Sequence, residues 1–182
     1  MARAFKIVVT GPFNSGKTTF IKAISEIEVV ATEKATRASG KKGSTTVAMD
    51  FGRITLRDGD ALHLYGTPGQ ERFDFMWEIL GEGMLGYVVL VDGSDPESFD
   101  GSERIVRRFE AMSEVPFVVG VTRGDRVNCL SPETVRNRLA PDGDVDVLIC
   151  DARKLKDVKE VLLALLERVL ESAEEARQVE AG

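Results

Sequence analysis

The chain has 182 residues, 43% of them hydrophobic and 30% charged, with a formal net charge of −6. That length suits one domain with a real core, and the acidic balance argues against a nucleic-acid backbone as the main partner. Two cysteines, Cys129 and Cys150, make no disulfide framework and no metal spacing, and fit reduced thiols in a cytoplasmic protein.

In chain order, "FKIVVTG" (5–11) reads as a buried strand entering a glycine turn, followed by a helix over about 17–27. Residues 30–46 are polar and without periodicity, a loop too long for a simple connector. "TVAMDFGRITL" and "ALHLYG" read as two strands around "RDGD", where Asp-Gly signals a hairpin. The apolar runs at 85–92, 115–122 and 145–150 read as further strands, each separated from the next by a helical stretch. Val158, Val161, Leu162, Leu165, Leu166, Val169 and Leu170 mark one face of a C-terminal helix. The predicted domain is 1–171, with 172–182 expected to fray. No apolar run approaches the roughly 20 residues of a membrane span, and neither end carries a lipidation signal. Strands alternating with helices predict an α/β fold, doubly wound, with a mostly parallel sheet, one antiparallel edge hairpin and helices on both faces. Ligands of such folds sit beyond the carboxyl ends of the strands.

"GPFNSGKT" (11–18) satisfies G-x-x-x-x-G-K-[ST] between a strand and a helix. Gly11 and Gly16 permit the tight wrap, and backbone N–H groups from Asn14 and Ser15 to Thr18 and Thr19 point at phosphates. Lys17 neutralises the β and γ phosphates, and the Thr18 hydroxyl ligates Mg2+.

"TTVAMDF" (45–51), "GTPGQERF" (66–73), "DGSDPESF" (92–99), "TRGD" (122–125) and "DAR" (151–153) follow in order. Together with the phosphate loop they resemble the Ras-like small GTPases along nearly the whole chain. The resemblance is strongest to bacterial members, the MglA-like and conservon-type GTPases associated with Roadblock-domain proteins. It implies a P-loop NTPase of the Ras-like G-domain type that binds GTP and GDP with Mg2+, works as a switch, and meets a Roadblock-type regulator and signalling effectors. By the same resemblance Thr46 is the Switch I threonine on magnesium, with Thr45 a rival. Gly69 N–H contacts the γ-phosphate, and Gln70 orients the attacking water. Thr122, Arg123 and Asp125 stand for N-K-x-D, while Ala152 and Arg153 stand for the last base-contacting segment. Asp125 can accept two hydrogen bonds from guanine that adenine does not offer. Phe13 stands where that family usually has a small residue and crowds the path of an arginine finger. Arg37 and Arg72 are candidates for an arginine supplied by the chain itself or are solvated surface charges.

One departure matters more. The family's D-x-x-G aspartate, which steadies magnesium, is Gly66 here. The predicted hairpin register sets Asp50 opposite Gly66 or Thr67, where it replaces the missing carboxylate or remains a solvated edge residue. His63 reads as a satisfied strand histidine. "FDFMWEIL" (73–80) reads as core or as a partner surface. Two functions stay open: a GTP-hydrolysing switch, slow alone and stimulated by a partner, and a guanine-nucleotide-binding adaptor with little hydrolysis. An ATP-using P-loop kinase lacks lid arginines and is opposed by Asp125.

Overall fold

A computed structural model describes residues 2–36, 45–69, 73, 75–125, 129–141 and 143–180, giving the backbone path alone over 30–36 and 45–48 and at 180. Among the described residues seven strands form one sheet: β1 (Ala4–Thr10), β2 (Val30–Thr36), β3 (Thr45–Thr55), β4 (Ala61–Gly66), β5 (Met84–Asp92), β6 (Phe117–Thr122) and β7 (Asp146–Ile149). Five α-helices join them: α1 (Lys17–Ile24), α2 (Phe75–Gly81), α3 (Pro96–Met112), α4 (Pro132–Leu139) and α5 (Leu155–Glu180). The strand order is β2-β3-β4-β1-β5-β6-β7, and every neighbouring pair is parallel except those of β3. This is the expected α/β architecture, with helices on both faces.

Period-two alternation along the central strands builds two cores. Tyr87, Val89 and Val91 of β5 face Trp77 and Leu80 of α2, Phe99 and Phe109 of α3, and Val135 of α4. Val88 and Leu90 turn the other way, toward Phe20 and Ile21 of α1 and Val158, Val161 and Leu165 of α5. Because β5 is buried on both faces, its sequence is a continuous apolar run rather than an alternation. Val158, Val161, Leu162 and Leu165 of α5 are buried on the stripe that the i, i+3, i+4 spacing predicts, with Leu166 and Val169 partly buried beside them, whereas Leu170, expected on the same face, is exposed.

Two expectations need correction. Residues 30–36, read from sequence as loop, form β2, an edge strand paired antiparallel from Val30↔Phe51 to Thr36↔Thr45. "VATEKAT" has no alternation because an edge strand is held by backbone pairing rather than by a buried face. Thr45 and Thr46 accordingly lie in β3, with Ala35 opposite Thr46, rather than at the end of a free loop. At the other end, α5 runs on as helix to Glu180, through the segment expected to fray. Residues 171–179 are all exposed, so this extension rests on helix hydrogen bonds without apolar packing.

The β3–β4 connection turns through Arg57–Gly59, with Asp58 at φ 67° and Gly59 at φ 83°. Two successive positive φ values are what the Asp-Gly dipeptide supplies most readily, and they fix the register of the hairpin. No helix among the described residues is long and apolar enough to cross a membrane.

Candidate nucleotide site

The segments singled out in the sequence follow the carboxyl ends of β1, β4, β5, β6 and β7 and so gather on one edge of the sheet. At the phosphate end, β1 stops at Thr10 and α1 opens on Gly16, at φ 102°, with no side-chain cap. The first-turn N–H groups of α1 are thereby left to an anionic ligand. Lys17 is 8% exposed, and its Nζ donates to the carbonyls of Gly11 and Pro12, both at 2.6 Å. Burial pushes the Lys17 ammonium down to about 8, against a smaller opposing pull from the Asp50 carboxylate. A buried ammonium held by two carbonyls and, at 3.4 Å, the Ser15 hydroxyl has no anionic partner in hydrogen-bond contact among the described residues and is poised for an anion.

The antiparallel register sets Asp50 directly opposite Gly66. Thr18 Oγ1 donates to Asp50 Oδ2 at 2.5 Å, joining the phosphate-loop hydroxyl to a carboxylate. A Cβ on Gly66 would lie 3.0 Å from Asp50 Cβ and 3.0 Å from Ile21 Cδ1, so a side chain there would displace the carboxylate. The absence of an aspartate at 66 is thus matched by one arriving from the adjacent strand. Hydroxyl and carboxylate oxygens side by side suit a hard divalent cation that keeps several waters. Among the described residues no three His, Cys, Asp or Glu side chains cluster, so a cation here would draw its other ligands from phosphate and water.

Thr67 N donates to Val9 O at 3.0 Å, and the Thr10 and Thr67 hydroxyls meet at 2.9 Å. Pro68 O accepts from Trp77 Nε1 at 3.4 Å. These ties lay Gly69 against the phosphate loop so closely that a Cβ on it would come within 2.6 Å of Phe13 N and 2.7 Å of Lys17 Nζ. Gln70 and Arg72, like Arg37, lie outside the described residues, as does the side chain of Thr46. Of the segment 73–80, Phe73, Met76, Trp77 and Leu80 are buried and serve the core, whereas Phe75 and Ile79 are exposed, as is Phe13 at 71%. His63 sits edge-on to Phe51 at 5.3 Å, in the strand role expected of it.

At the base end, a cavity of about 230 Å³ is lined by Ser15, Gly16, Thr19, Thr122, Arg123, Asp125, Asp151, Ala152 and Arg153. The structure therefore brings the phosphate loop, "TRGD" and "DAR" to a single space. Thr122 Oγ1 lies 3.0 Å from Ser15 O and 3.1 Å from Val91 O, bracing the phosphate loop from β6. Asp125 is exposed at the cavity rim. Arg153 grips Asp151 through two contacts of 2.8 Å, and these hydrogen bonds hold the Asp151 carboxyl far below its usual range. The Asp151 N–H donates to Asp157 of α5 at 2.9 Å.

Sequence reasoning missed Asp92. It ends β5, is 5% exposed, and pairs with the Arg123 guanidinium. Burial pushes its carboxyl up, but hydrogen bonds from Ser94 and Arg123 outweigh burial and hold it low. The available signal was Asp-x-Ser at a strand end, the pattern of an Asx turn, which Ser94 N completes on Asp92 Oδ1 at 3.0 Å.

A sequence family described as "conserved hypothetical ATP binding protein" matches residues 28–172, a span that begins after the phosphate loop. An uncharacterized protein of Methanocaldococcus jannaschii is 32% identical over 124 residues, which are 66% of this chain and 70% of that protein. Translation initiation factor IF-2 of Rickettsia bellii is 28% identical over 177 residues, 91% of this chain but 20% of the factor. The same factor of Clostridium tetani is 30% identical over 137 residues, 75% of this chain and 18% of the factor. The likeness to the initiation factor therefore covers about a fifth of that protein. With the phosphate loop, the sheet order and the shared cavity, the family match makes this chain a P-loop nucleotide-binding protein of the conserved hypothetical ATP binding protein family.

Proposed function

We propose that the chain is a guanine-nucleotide switch that hydrolyses GTP to GDP and phosphate, slowly by itself and faster with a partner. The observation that carries this reading is the single cavity in which Asp125 faces the same space as the phosphate loop. A carboxylate at that rim accepts from guanine N1–H and the 2-amino group, and adenine would leave it unpaired. Lys17 meets the β and γ phosphates and counters charge that develops during in-line attack. Gly69 N–H faces the γ-phosphate, and Gln70 orients the attacking water. Thr18 and Asp50 would hold magnesium, with Thr46 as a third ligand, and the ion would screen the phosphate charge. The exposed Phe13 ring crowds the approach of an arginine finger, which favours a regulator of the Roadblock type that remodels the site. Signalling effectors would then read the exposed Phe75 and Ile79.

A second reading is adenine-nucleotide binding, favoured by the description of the family. A third is a guanine-nucleotide adaptor with little hydrolysis. Displacement of fluorescent mant-GDP by unlabelled GDP and ADP separates the first two. Guanine preference of a hundredfold or more supports the switch, and preference for ADP rejects it. Single-turnover GTP hydrolysis at graded magnesium, beside Gln70→Leu and Asp50→Ala, then separates switch from adaptor. Turnover that saturates with magnesium, falls in Gln70→Leu and needs more magnesium in Asp50→Ala is the expected result. An unchanged magnesium requirement in Asp50→Ala removes that residue from the metal site.

A further inference from the structure

Two non-glycine residues of the nucleotide site stand in the left-handed region, Asn14 beside the cavity at φ 66° and Arg123 in its lining at φ 57°. That conformation is costly for residues with a Cβ and persists where the surroundings impose it. One belongs to the phosphate loop and the other to the loop after β6, and their side chains meet: Arg123 Nη2 donates to Asn14 Oδ1 at 3.2 Å. The other arm of the same guanidinium, Nη1, pairs with Asp92 Oδ2. Asp92 is itself anchored, taking hydrogen bonds from Ser94 N at 3.0 Å and Ser94 Oγ at 2.7 Å while its own N–H donates to Ser98 Oγ at 3.0 Å.

We propose that Asp92 is a positioning residue that aims Arg123, so that the guanidinium clamps the base-side loop to the phosphate loop and sets how long a nucleotide stays bound. The inference rests on nucleotide binding in this cavity, but on neither the choice of base nor hydrolysis. A planar fork suits this pair because Asp92 and Asn14 are served by two nitrogens held at a fixed spacing, whereas a lysine ammonium offers its three donors from a single point. Thr122 supplies the second, neutral tie between the same two loops, through Ser15 O. A nucleotide reaching from the phosphate loop to Asp125 lies across both ties. Release then requires the loops to separate, and the part-buried ion pair opposes that separation.

The test is stopped-flow association and dissociation of mant-GDP and mant-ADP, using wild type, Asp92→Asn, Asn14→Ala, Arg123→Lys and the double variant Asn14→Ala with Arg123→Lys. In Asp92→Asn dissociation should quicken about tenfold, the scale of one lost charge-assisted hydrogen bond, with the association rate constant unchanged. A merely loosened fold would instead lower the association rate and the fraction of protein that binds. Asn14→Ala and Arg123→Lys should each quicken release about threefold, and together by less than the product, because they break one device. If Asp92→Asn does not fold, the cycle between the exposed Asn14 and the half-buried Arg123 decides alone: multiplicative effects overturn the proposal. Unchanged release overturns it too, and slower release would mean that Asp92 holds Arg123 away from the nucleotide. Wild type that retains neither probe overturns both the clamp and nucleotide binding itself, whereas wild-type retention with unresponsive variants overturns the clamp alone.

Discussion

The phosphate end of the site is built of backbone and one buried cation, while the base end is built of side-chain ion pairs near the surface. Lys17 is 8% exposed and lies among loop carbonyls and helix N–H groups. Asp125 is exposed, and Arg153 rests on Asp151 with 74% of its side chain open to solvent. Buried, preorganised charge is worth more per contact than exposed charge, which water screens. The phosphate end should therefore set how tightly a nucleotide binds, and the base end which nucleotide it is.

The largest effect that comparison predicts is on affinity. Lys17→Ala removes the buried ammonium and should weaken GDP binding by about a thousandfold, within the range for loss of one partner of a buried charge pair. Equilibrium titration with mant-GDP measures it. A loss below tenfold would mean that the helix N-terminus alone holds the phosphates. Asp125→Ala should leave affinity nearer to wild type but cut preference for guanine over adenine by about a hundredfold, the value of a charge-assisted hydrogen-bond pair. Competition between GDP and ADP reads it, and equal loss for both nucleotides would break the proposed division of labour.

The same contrast explains what the sequence disclosed. Gly11 to Thr18 were legible because phosphate binding needs a fixed backbone shape, and that shape demands particular residues at fixed spacing. The fold was legible where burial imposed a period, as in β5 and α5. Asp50 was legible through register: an Asp-Gly turn fixed the pairing, and the pairing set the carboxylate opposite Gly66. β2 was not, because an edge strand is chosen by its neighbour's open backbone and leaves little mark on its own side chains. Asp92 was not, because the Arg123 that gives it a role in the site lies far off in the chain, and its local Asx turn with Ser94 marks a loop rather than a site.

Gly66→Asp tests how tightly the phosphate end is fitted. It restores the carboxylate of the resembled family but places a second one against Asp50, with Cβ contacts of 3.0 Å. Crowding and like-charge repulsion should lower stability by about 1–3 kcal/mol, visible as a lower urea midpoint. Adding Asp50→Ala should recover most of that loss. A neutral Gly66→Asp would mean that Asp50 moves aside freely and is no fixed part of the site.

The smallest effect is graded and follows from protonation. In the free protein Lys17 titrates at about 8, below its ordinary 10.5, because burial disfavours the charged form. A bound phosphate favours the ammonium and raises that value in the complex. Below about pH 8 Lys17 is charged both free and bound, so affinity should be flat there. Above it the free protein has lost the proton that the complex keeps, and binding must take one up. Affinity should then fall by up to about tenfold per pH unit, until the value for the complex is reached. At the base end, Arg153 holds Asp151 low, and Ser94 and Arg123 keep Asp92 low against burial, so those carboxylates stay charged throughout this range. Titration of GDP from pH 7 to 9.5, with calorimetry in two buffers of different ionisation enthalpy, separates the contributions. Proton uptake that appears above pH 8 assigns the dependence to Lys17, while a flat profile without uptake would mean that the ammonium is already held charged in the free protein.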